Sequence, residues 1–258
     1  MLASSGSTRE RLLIYGSYGT GKSKAVLDIA ALLQATSTPS TIRILSTDDG
    51  PPRMLEGGYS SLSNVKVYDC VGFDDFDVIR RSAKSIADDS RPNDWAVIDM
   101  ANHVWDAAQS YFSERAFGKS VDEYFLEMRA QLAAKQAANP KTKNENPFDG
   151  WKDWPVIKKL YNAVISDVMF GSKCNVIMIC GEKKAMDDED GDYQFVGQVP
   201  EGEKHLSHLV HTVIRFTRSK MGVYSMTTIK DREREQMQLL PISNFATQYL
   251  IGIAGWKV

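Results

Sequence analysis

A glycine-rich run directly after a short apolar stretch constrains the fold of this chain more than any other feature. Residues 12–15 are apolar or aromatic and lead into GSYGTGKS, which satisfies the pattern G-x-x-x-x-G-K-[ST]. An apolar-periodic segment, residues 22–33, follows at once. The sequence therefore predicts a β-strand, a tight loop and an α-helix in immediate succession.

Such a loop can hold phosphate groups. Glycine adopts backbone conformations that are closed to residues with a Cβ, so successive N–H groups can point inward at phosphate oxygens. The helix adds the positive end of its dipole, Lys22 can reach the β- and γ-phosphates, and the Ser23 hydroxyl can bind Mg²⁺. We expect nine consecutive residues to bind the nucleotide: Gly16, Ser17, Tyr18, Gly19, Thr20, Gly21, Lys22, Ser23 and Lys24.

Composition limits the kind of protein that surrounds this loop. The 258 residues are 43% hydrophobic, which favours one α/β domain over residues 1–258 with a substantial core. A net charge of −2 gives no overall attraction to nucleic acid or anionic membranes, so such binding requires a local patch. The three cysteines lack metal-ligand spacing, and neither a membrane span nor a secretory signal is evident. We expect a cytoplasmic protein with reduced thiols.

Strand and helix signals alternate along the chain, which is typical of a mostly parallel sheet with helices on both faces. After the first strand, strand signals lie at residues 42–46, 65–71, 95–100 and 174–182. Three later apolar segments, the last of them near the C-terminus, are expected to form an antiparallel edge. Insertions near 117–154 and 183–204 interrupt the alternation, and the first has a helical middle, 121–138, followed by a polar loop.

Asp99 ends the fourth strand signal. Its carboxylate is therefore expected at the carboxyl edge of the sheet, where open α/β sheets bind ligands. From there it can hold the Mg²⁺ that Ser23 also reaches. The alternative is an acid that merely ends a strand.

Five segments in order resemble a known family: GSYGTGKS, ILSTDDG, WAVIDMANHVWDAA, WPVIKKLYNAVISDVMFGSKCNVIMICGEKK and IKDRERE. They are similar to the RecA-like NTPases encoded by bacteriophages, small RecA-core proteins linked to single-strand annealing and recombination. The resemblance covers roughly residues 11–235. It implies a three-layer RecA-like core that binds ATP and Mg²⁺, hydrolyses ATP and assembles into a ring or filament.

The resemblance also implies further catalytic residues. In the related ATPases an acid after the second strand orients the attacking water, and this position offers Asp48 and Asp49. We favour Asp48, although the family usually has Glu there, and a turn without chemistry is the alternative. Lys230 and Arg232 resemble the K-x-R finger of hexameric helicases and KaiC-like ATPases, which acts on a neighbouring subunit's γ-phosphate. A solvated charged turn is the alternative there.

RecA-like proteins hold single-stranded DNA on the loops after the fourth and fifth strands, which correspond here to the two insertions. Candidate DNA contacts are Lys135, Lys141, Lys143, Trp151, Lys152, Lys183 and Lys184, with Trp154 as a further stacking residue. The acidic run DDEDGD in the second insertion opposes DNA binding. A lysine-rich loop that only keeps the surface soluble is the alternative.

The sequence thus favours an ATPase that acts on single-stranded DNA in phage recombination, with a single-strand DNA-binding protein as a further possible partner and no membrane. The alternatives are a nucleotide-dependent assembly or regulatory ATPase that does not bind DNA, and a helicase or packaging motor. His205, His208 and His211 have helical spacing, but no Cys or well-placed carboxylate completes a metal site. We interpret that segment as a helix packed on the sheet.

Overall fold

The computed structural model describes residues 9–36, 40–72, 75–139, 150–184, 197–234 and 239–256. The described strands are β1 (Arg11–Tyr15), β2 (Ile42–Ser46), β3 (Val65–Asp69), β4 (Trp95–Asp99), β5 (Asn175–Cys180), β6 (Glu182–Lys184), β7 (Gln198–Pro200), β8 (Thr212–Arg218), β9 (Tyr224–Asp231) and β10 (Leu240–Pro241). The helices are α1 (Lys22–Gln34), α2 (Gly50–Glu56), α3 (Phe76–Asp89), α4 (Ala101–Phe117), α5 (Val121–Ala138), α6 (Gly150–Ser166) and α7 (Leu206–Leu209). Two π-helical segments, Asp167–Gly171 and Thr247–Ile253, complete the described elements.

Eight strands form one sheet in the order β10-β9-β8-β1-β5-β4-β2-β3. The six strands from β8 to β3 are parallel, while β9 and β10 are antiparallel additions at one edge. The α/β class and the mostly parallel sheet are therefore confirmed. Strands β6 and β7 form a separate antiparallel hairpin.

The central strands are apolar on both faces because each face is covered by another layer. Leu12 and Ile14 pack into one core with α1 and the C-terminal segment. Leu13 and Tyr15, which alternate with them, pack into a second core with α3, α4 and α6. All four side chains are buried, so β1 is held rigidly between the two cores.

The acidic pair Asp74 and Asp75 predicts the start of a helix with residues 76–87 as its body, and α3 begins there. Asp75 caps α3, because its side chain accepts hydrogen bonds from the backbone N–H groups of Asp77 and Val78. Its neighbour Asp74 lies outside the described residues. Helix α5 covers the predicted span 121–138 and begins with a capping box between Ser120 and Glu123.

The C-terminal apolar run is a helix and not the predicted strand. Residues Thr247–Ile253 are π-helical, and Tyr249 and Leu250 are both buried against the sheet. Periodicity cannot separate a short buried strand from a short buried helix. The Asn244 side chain favours the helix, because it accepts a hydrogen bond from the Thr247 N–H at 2.9 Å. The predicted all-antiparallel edge was also wrong for β8, which is parallel to β1.

The end of the first insertion differs from the predicted loop. Trp151, Lys152 and Trp154 belong to the first turns of α6. The Trp154 ring stacks on Trp105 of α4, with centroids 6.0 Å apart and planes 13° apart. This tertiary contact, which local sequence cannot reveal, fixes the start of α6 against α4. Residues 140–149 of the insertion lie outside the described ranges.

Candidate nucleotide-binding site

The glycine-rich loop leaves β1 at the carboxyl edge of the sheet and leads directly into α1. A Cβ on Gly16 would lie 2.2 Å from the carbonyl oxygen of Phe216, so only glycine fits at this position. Gly21 has a φ of 90° and begins α1 without a side-chain cap. The first N–H groups of α1 therefore remain free to bind an anion.

Lys22 lies across this loop. Its Nζ donates hydrogen bonds to the carbonyl oxygens of Gly16 at 2.8 Å and Ser17 at 2.9 Å. Burial lowers the pKa of Lys22, and the negative charges of Asp99, Glu182 and Asp48 oppose that shift. The ammonium group thus lies at the loop, among carboxylates that help to keep it charged.

Asp99 is the most unusual group of the site. Its side chain is 1% exposed, and neither carboxylate oxygen has a hydrogen-bond partner among the described residues. Burial raises the pKa of Asp99 to about 7, although the nearby Ser23 hydroxyl lowers it in part. A buried carboxylate without a partner is unfavourable, and a bound cation would supply the missing interaction.

Ser23 and Asp48 lie beside this carboxylate. A Cβ on Gly50 would lie 3.7 Å from Ser23 Oγ and 3.1 Å from Asp48 Oδ1, so both side chains approach the same point. The charge of Asp48 also raises the pKa of Asp99. A hydroxyl with one or two carboxylates is a donor set that suits Mg²⁺, which keeps several waters and binds phosphate oxygens as well. These residues therefore fit the predicted Mg²⁺ site.

Thr47 joins the strand ends that carry the two acids. Its backbone N–H donates to the carbonyl oxygen of Asp99 at 2.6 Å, and its Oγ1 accepts a hydrogen bond from the Met100 N–H at 2.8 Å. Thr47 is buried, and its Oγ1 also lies 3.0 Å from His103 Nδ1. It therefore fixes the spacing between the ends of β2 and β4. Sequence reasoning did not single out Thr47.

Two of the predicted site residues have other partners. Asp49 is exposed and forms an ion pair with Arg53 at 3.3 Å, so Asp48 is the acid that faces Asp99. Lys24 donates to both carboxylate oxygens of Asp28 at 2.8 Å, and Tyr59 donates to the same carboxylate at 2.6 Å. Tyr18, at the tip of the loop, is 97% exposed.

Glu182 and Arg215 also belong to this edge, and sequence reasoning missed them. Glu182 follows β5, which lies between β1 and β4, so it emerges between the loop and Asp99. Its carboxylate accepts hydrogen bonds from Ser17 Oγ at 2.6 Å and from Arg215 Nε at 2.8 Å. Glu182 ends the strand signal at residues 174–182, so the sequence shows an acid at that position. Its contacts with Ser17 and Arg215 depend on the strand order, which the sequence does not show.

A pocket with a volume of about 280 Å³ adjoins the glycine-rich loop. Thr20, Gly21 and Lys24 contribute to its lining. Other lining residues come from three further parts of the chain and include Phe216, Tyr224, Ile242, Ser243 and Phe245. An aromatic pocket beside a loop that can hold phosphate would suit the base of a nucleotide.

The Lys230–Arg232 segment lies near the amino ends of the parallel strands, whereas the glycine-rich loop lies at their carboxyl ends. Asp231 pairs with Thr212, which in turn pairs with Leu12 near the start of β1. Lys230 Nζ donates to the carbonyl oxygens of Ser207 and Val210, at 2.8 and 3.0 Å. The Arg232 side chain is exposed and donates to the His208 carbonyl at 3.3 Å. The structure therefore does not bring this pair to the loop of its own subunit.

The predicted DNA contacts lie in several places. Lys135 is exposed near the end of α5, and Lys152 is exposed in the first turn of α6. Lys183 and Lys184 are exposed on β6, directly after Glu182. Three of the predicted features lie outside the described residues, namely Lys141, Lys143 and the acidic run DDEDGD. The described lysines therefore lie on three different elements, α5, α6 and β6.

No protein-family model matches the chain, and no curated protein matches it. Function is therefore inferred from the site.

The helix that carries the histidines is shorter than predicted. Helix α7 spans only Leu206–Leu209, so it ends before His211, and the predicted helix over all three histidines was too long. Within the described ranges, no group of three or more His, Cys, Asp or Glu side chains is arranged to hold a metal ion. Nor does any helix in that part of the chain have the length and apolar character needed to cross a membrane.

We expect Asp99→Asn to stabilise the nucleotide-free protein at alkaline pH. The pKa of Asp99 rises from 3.8 to about 7 on folding, so ionisation of Asp99 destabilises the folded state. This destabilisation is absent below about pH 4 and complete above about pH 7. The variant should therefore gain roughly 1–3 kcal/mol in free energy of unfolding at pH 8 and almost nothing at pH 4. Urea unfolding at both pH values measures this difference.

Asp88→Asn is the matched control, because Asp88 is an exposed carboxylate on α3 that pairs with Lys84. It should change stability little at either pH. Mg²⁺ with a non-hydrolysable ATP analogue should stabilise the wild type much more than Asp99→Asn. A variant that is less stable than the wild type at pH 8 without Mg²⁺ would contradict the assignment.

Proposed function

We propose that the protein is a Mg²⁺-dependent nucleoside triphosphatase with a RecA-like core and that ATP is its substrate. One observation carries the proposal: the buried carboxylate of Asp99, which has no hydrogen-bond partner among the described residues, lies beside Ser23 at the start of the helix that follows the glycine-rich loop. Lys22 supplies a positive charge at the same place. A phosphate chain with a divalent cation complements these charges.

The strand order supports the RecA-like core. Strand β5 pairs with β1 on one side and β4 on the other, so one additional strand separates the loop from Asp99. This is the arrangement of the additional-strand ATPases that the sequence resembles. Helices on both faces agree with the three layers that the resemblance implies.

Each side chain has a role in this proposal. Lys22 and the N–H groups of the loop bind the phosphates and stabilise charge that develops on them. Ser23 and Asp99 hold Mg²⁺, which when bound would neutralise charge on the phosphate oxygens. Asp48 orients the attacking water, because it is the other carboxylate that faces this group.

The aromatic pocket supports a nucleotide over a simple polyphosphate as the substrate. It begins at Gly21 and Lys24, at the far end of the loop from Ser17. Tyr224 is 36% exposed and offers a ring on which a base can stack, while the buried Phe216 and Phe245 lie behind it. A nucleotide bound in this direction would place its base in the pocket and its terminal phosphate near Lys22.

Assembly into a ring or filament is part of the proposal. Arg232 lies near the amino ends of the parallel strands, and the glycine-rich loop of the same subunit lies at their carboxyl ends. Arg232 can therefore act only on the nucleotide of another copy. Its side chain is exposed and donates a hydrogen bond to the carbonyl of His208. The exposed guanidinium can leave that carbonyl for a phosphate at little cost.

Single-stranded DNA is the partner that the exposed lysines favour. Lys183 and Lys184 directly follow Glu182, which contacts Ser17 of the loop. Phosphate contacts at this hairpin would therefore lie close to the nucleotide. A nucleotide-dependent assembly ATPase that does not bind DNA is the alternative, because β6 leads into an acidic run.

The first test of this function is Lys22→Ala. We expect ATP turnover to fall by about 10² to 10³ or more, because a charge that stabilises the transferring phosphoryl group is lost. Steady-state phosphate release measures the effect, and thermal unfolding checks that the variant is folded. Lys84→Ala, an exposed lysine on α3, should hydrolyse ATP at the wild-type rate. Unchanged turnover in Lys22→Ala would refute the role of the loop.

A second test concerns Arg232. We expect Arg232→Ala to bind ATP normally but to hydrolyse it about 10³-fold more slowly if the guanidinium acts as other arginine fingers do. Mixing Arg232→Ala with Lys22→Ala should restore part of the activity, since an intact loop then meets an intact arginine. Linear activity down to a monomeric concentration, with no recovery on mixing, would rule out the shared site.

The third test separates the DNA-binding protein from its alternative. A labelled single-stranded oligonucleotide should bind in the presence of ATP, with an affinity that falls steeply with salt concentration. The double variant Lys183→Ala/Lys184→Ala should lower the slope of that salt dependence by about 2. Lys66→Ala/Lys84→Ala removes two exposed lysines elsewhere and should leave the slope unchanged. Wild-type protein that hydrolyses ATP without binding the oligonucleotide would support the alternative.

A further inference from the structure

An ion pair at the end of β5 has no role in the function described so far. Glu182 accepts hydrogen bonds from Ser17 Oγ and from Arg215 Nε, at 2.6 and 2.8 Å. The two charged side chains are largely buried, with 11% of Glu182 and 18% of Arg215 exposed. A pair this well shielded from water holds its partners more firmly than a surface pair does.

Strand register places Arg215 at the start of the loop. It pairs with Tyr15, the last residue of β1, and Gly16 comes next. The neighbouring Phe216 lines the aromatic pocket, and successive residues of a strand face opposite sides of the sheet. Arg215 therefore lies on the side away from the base pocket, where Ser17 and Lys22 are.

The charges agree with this placement. Burial alone would raise the pKa of Glu182, but hydrogen bonds from Arg215 and Ser17, together with the charge of Lys22, lower it overall. Glu182 is therefore an ionised neighbour of Lys22. The guanidinium uses only Nε in this pair, and its other two nitrogens form no hydrogen bond with the described residues. Four N–H donors of Arg215 remain for another anion.

We propose that Arg215 binds the terminal phosphate of the nucleotide in its own subunit and that Glu182 is the residue that positions it. This inference rests on the proposed function, because the phosphate belongs to the same nucleotide. A planar guanidinium can donate Nε–H to a carboxylate while its Nη groups bind a phosphate. Arg215 is thus the residue that distinguishes a triphosphate from a diphosphate.

The test compares ligands that differ only in the terminal phosphate. Dissociation constants are measured by calorimetry for ATP and ADP, and for tripolyphosphate and pyrophosphate, which lack the base. Arg215→Gln should weaken ATP and tripolyphosphate binding about tenfold to a hundredfold, since a charge-assisted hydrogen bond is lost. It should leave ADP and pyrophosphate within about threefold of the wild type. Lys220→Gln, which removes an exposed cation from the β8–β9 turn, should change none of the four values.

Glu182 is tested through its effect on Arg215. Glu182→Ala should lower the preference for ATP over ADP by about threefold to tenfold, and Glu182→Gln should restore most of it, because an amide oxygen also accepts from Nε–H. Adding Glu182→Ala to Arg215→Gln should change the preference no further. If the ion pair were only structural, Glu182→Gln would not restore the preference for ATP over ADP. The effects of Glu182→Ala and Arg215→Gln on that preference would also not overlap.

Several results would overturn the inference. Equal losses for ATP and ADP in Arg215→Gln, or a lower urea midpoint with an unchanged preference, would make the pair a structural link only. If Arg215→Gln does not fold, Arg215→Lys is the substitute. It keeps the positive charge but lacks the planar guanidinium donors, so it should still lower the preference for ATP over ADP by about threefold or more. Wild-type protein that binds neither tripolyphosphate nor ATP would refute the proposed function and the inference together.

Discussion

The pairing of β5 between β1 and β4 is the constraint on which the rest of the site depends. It brings the glycine-rich loop, Glu182 and Asp99 to one edge of the sheet, although they come from distant parts of the chain. The two cores on either side make this edge rigid, because the strands are buried on both faces. Groups held in this way need little reorganisation when a charged ligand binds, which is the condition for strong electrostatic stabilisation.

The charges at this edge would complement a ligand that carries both signs. Among the described residues, neither carboxylate oxygen of the buried Asp99 has a hydrogen-bond partner, while Lys22 donates to two backbone carbonyls and lies among carboxylates. A cation alone would satisfy the acid, and a phosphate alone would satisfy the lysine. A phosphate chain that carries its own divalent cation satisfies both at once. The ion pair of Glu182 and Arg215 adds a guanidinium whose Nη groups form no hydrogen bond with the described residues.

Sequence reasoning succeeded where local pattern decides the structure. The loop pattern, the strand that ends in Asp99 and the span of α5 follow from residues close together in the chain. It failed where contacts between distant segments decide, as for the helix at Thr247–Ile253 and the start of α6 on Trp105. The aromatic pocket is a further case, since its lining comes from α1, β8, β9 and residues 242–245. The neighbours of Glu182 likewise depend on a strand order that spacing alone does not reveal.

The position of β1 has a consequence for how the chain is made. It precedes the other described strands in the chain, yet both of its partners come much later, with Arg11 beside Val176 and Leu12 beside Thr212. The carbonyl of Phe216 also fixes the shape of the loop at Gly16. Because such long-range pairing is slow and requires both partners, the loop cannot take its final shape until β8 has left the ribosome. During most of translation, β1 is therefore an apolar segment without its sheet partners, and the glycine-rich loop is among the last parts of the domain to form.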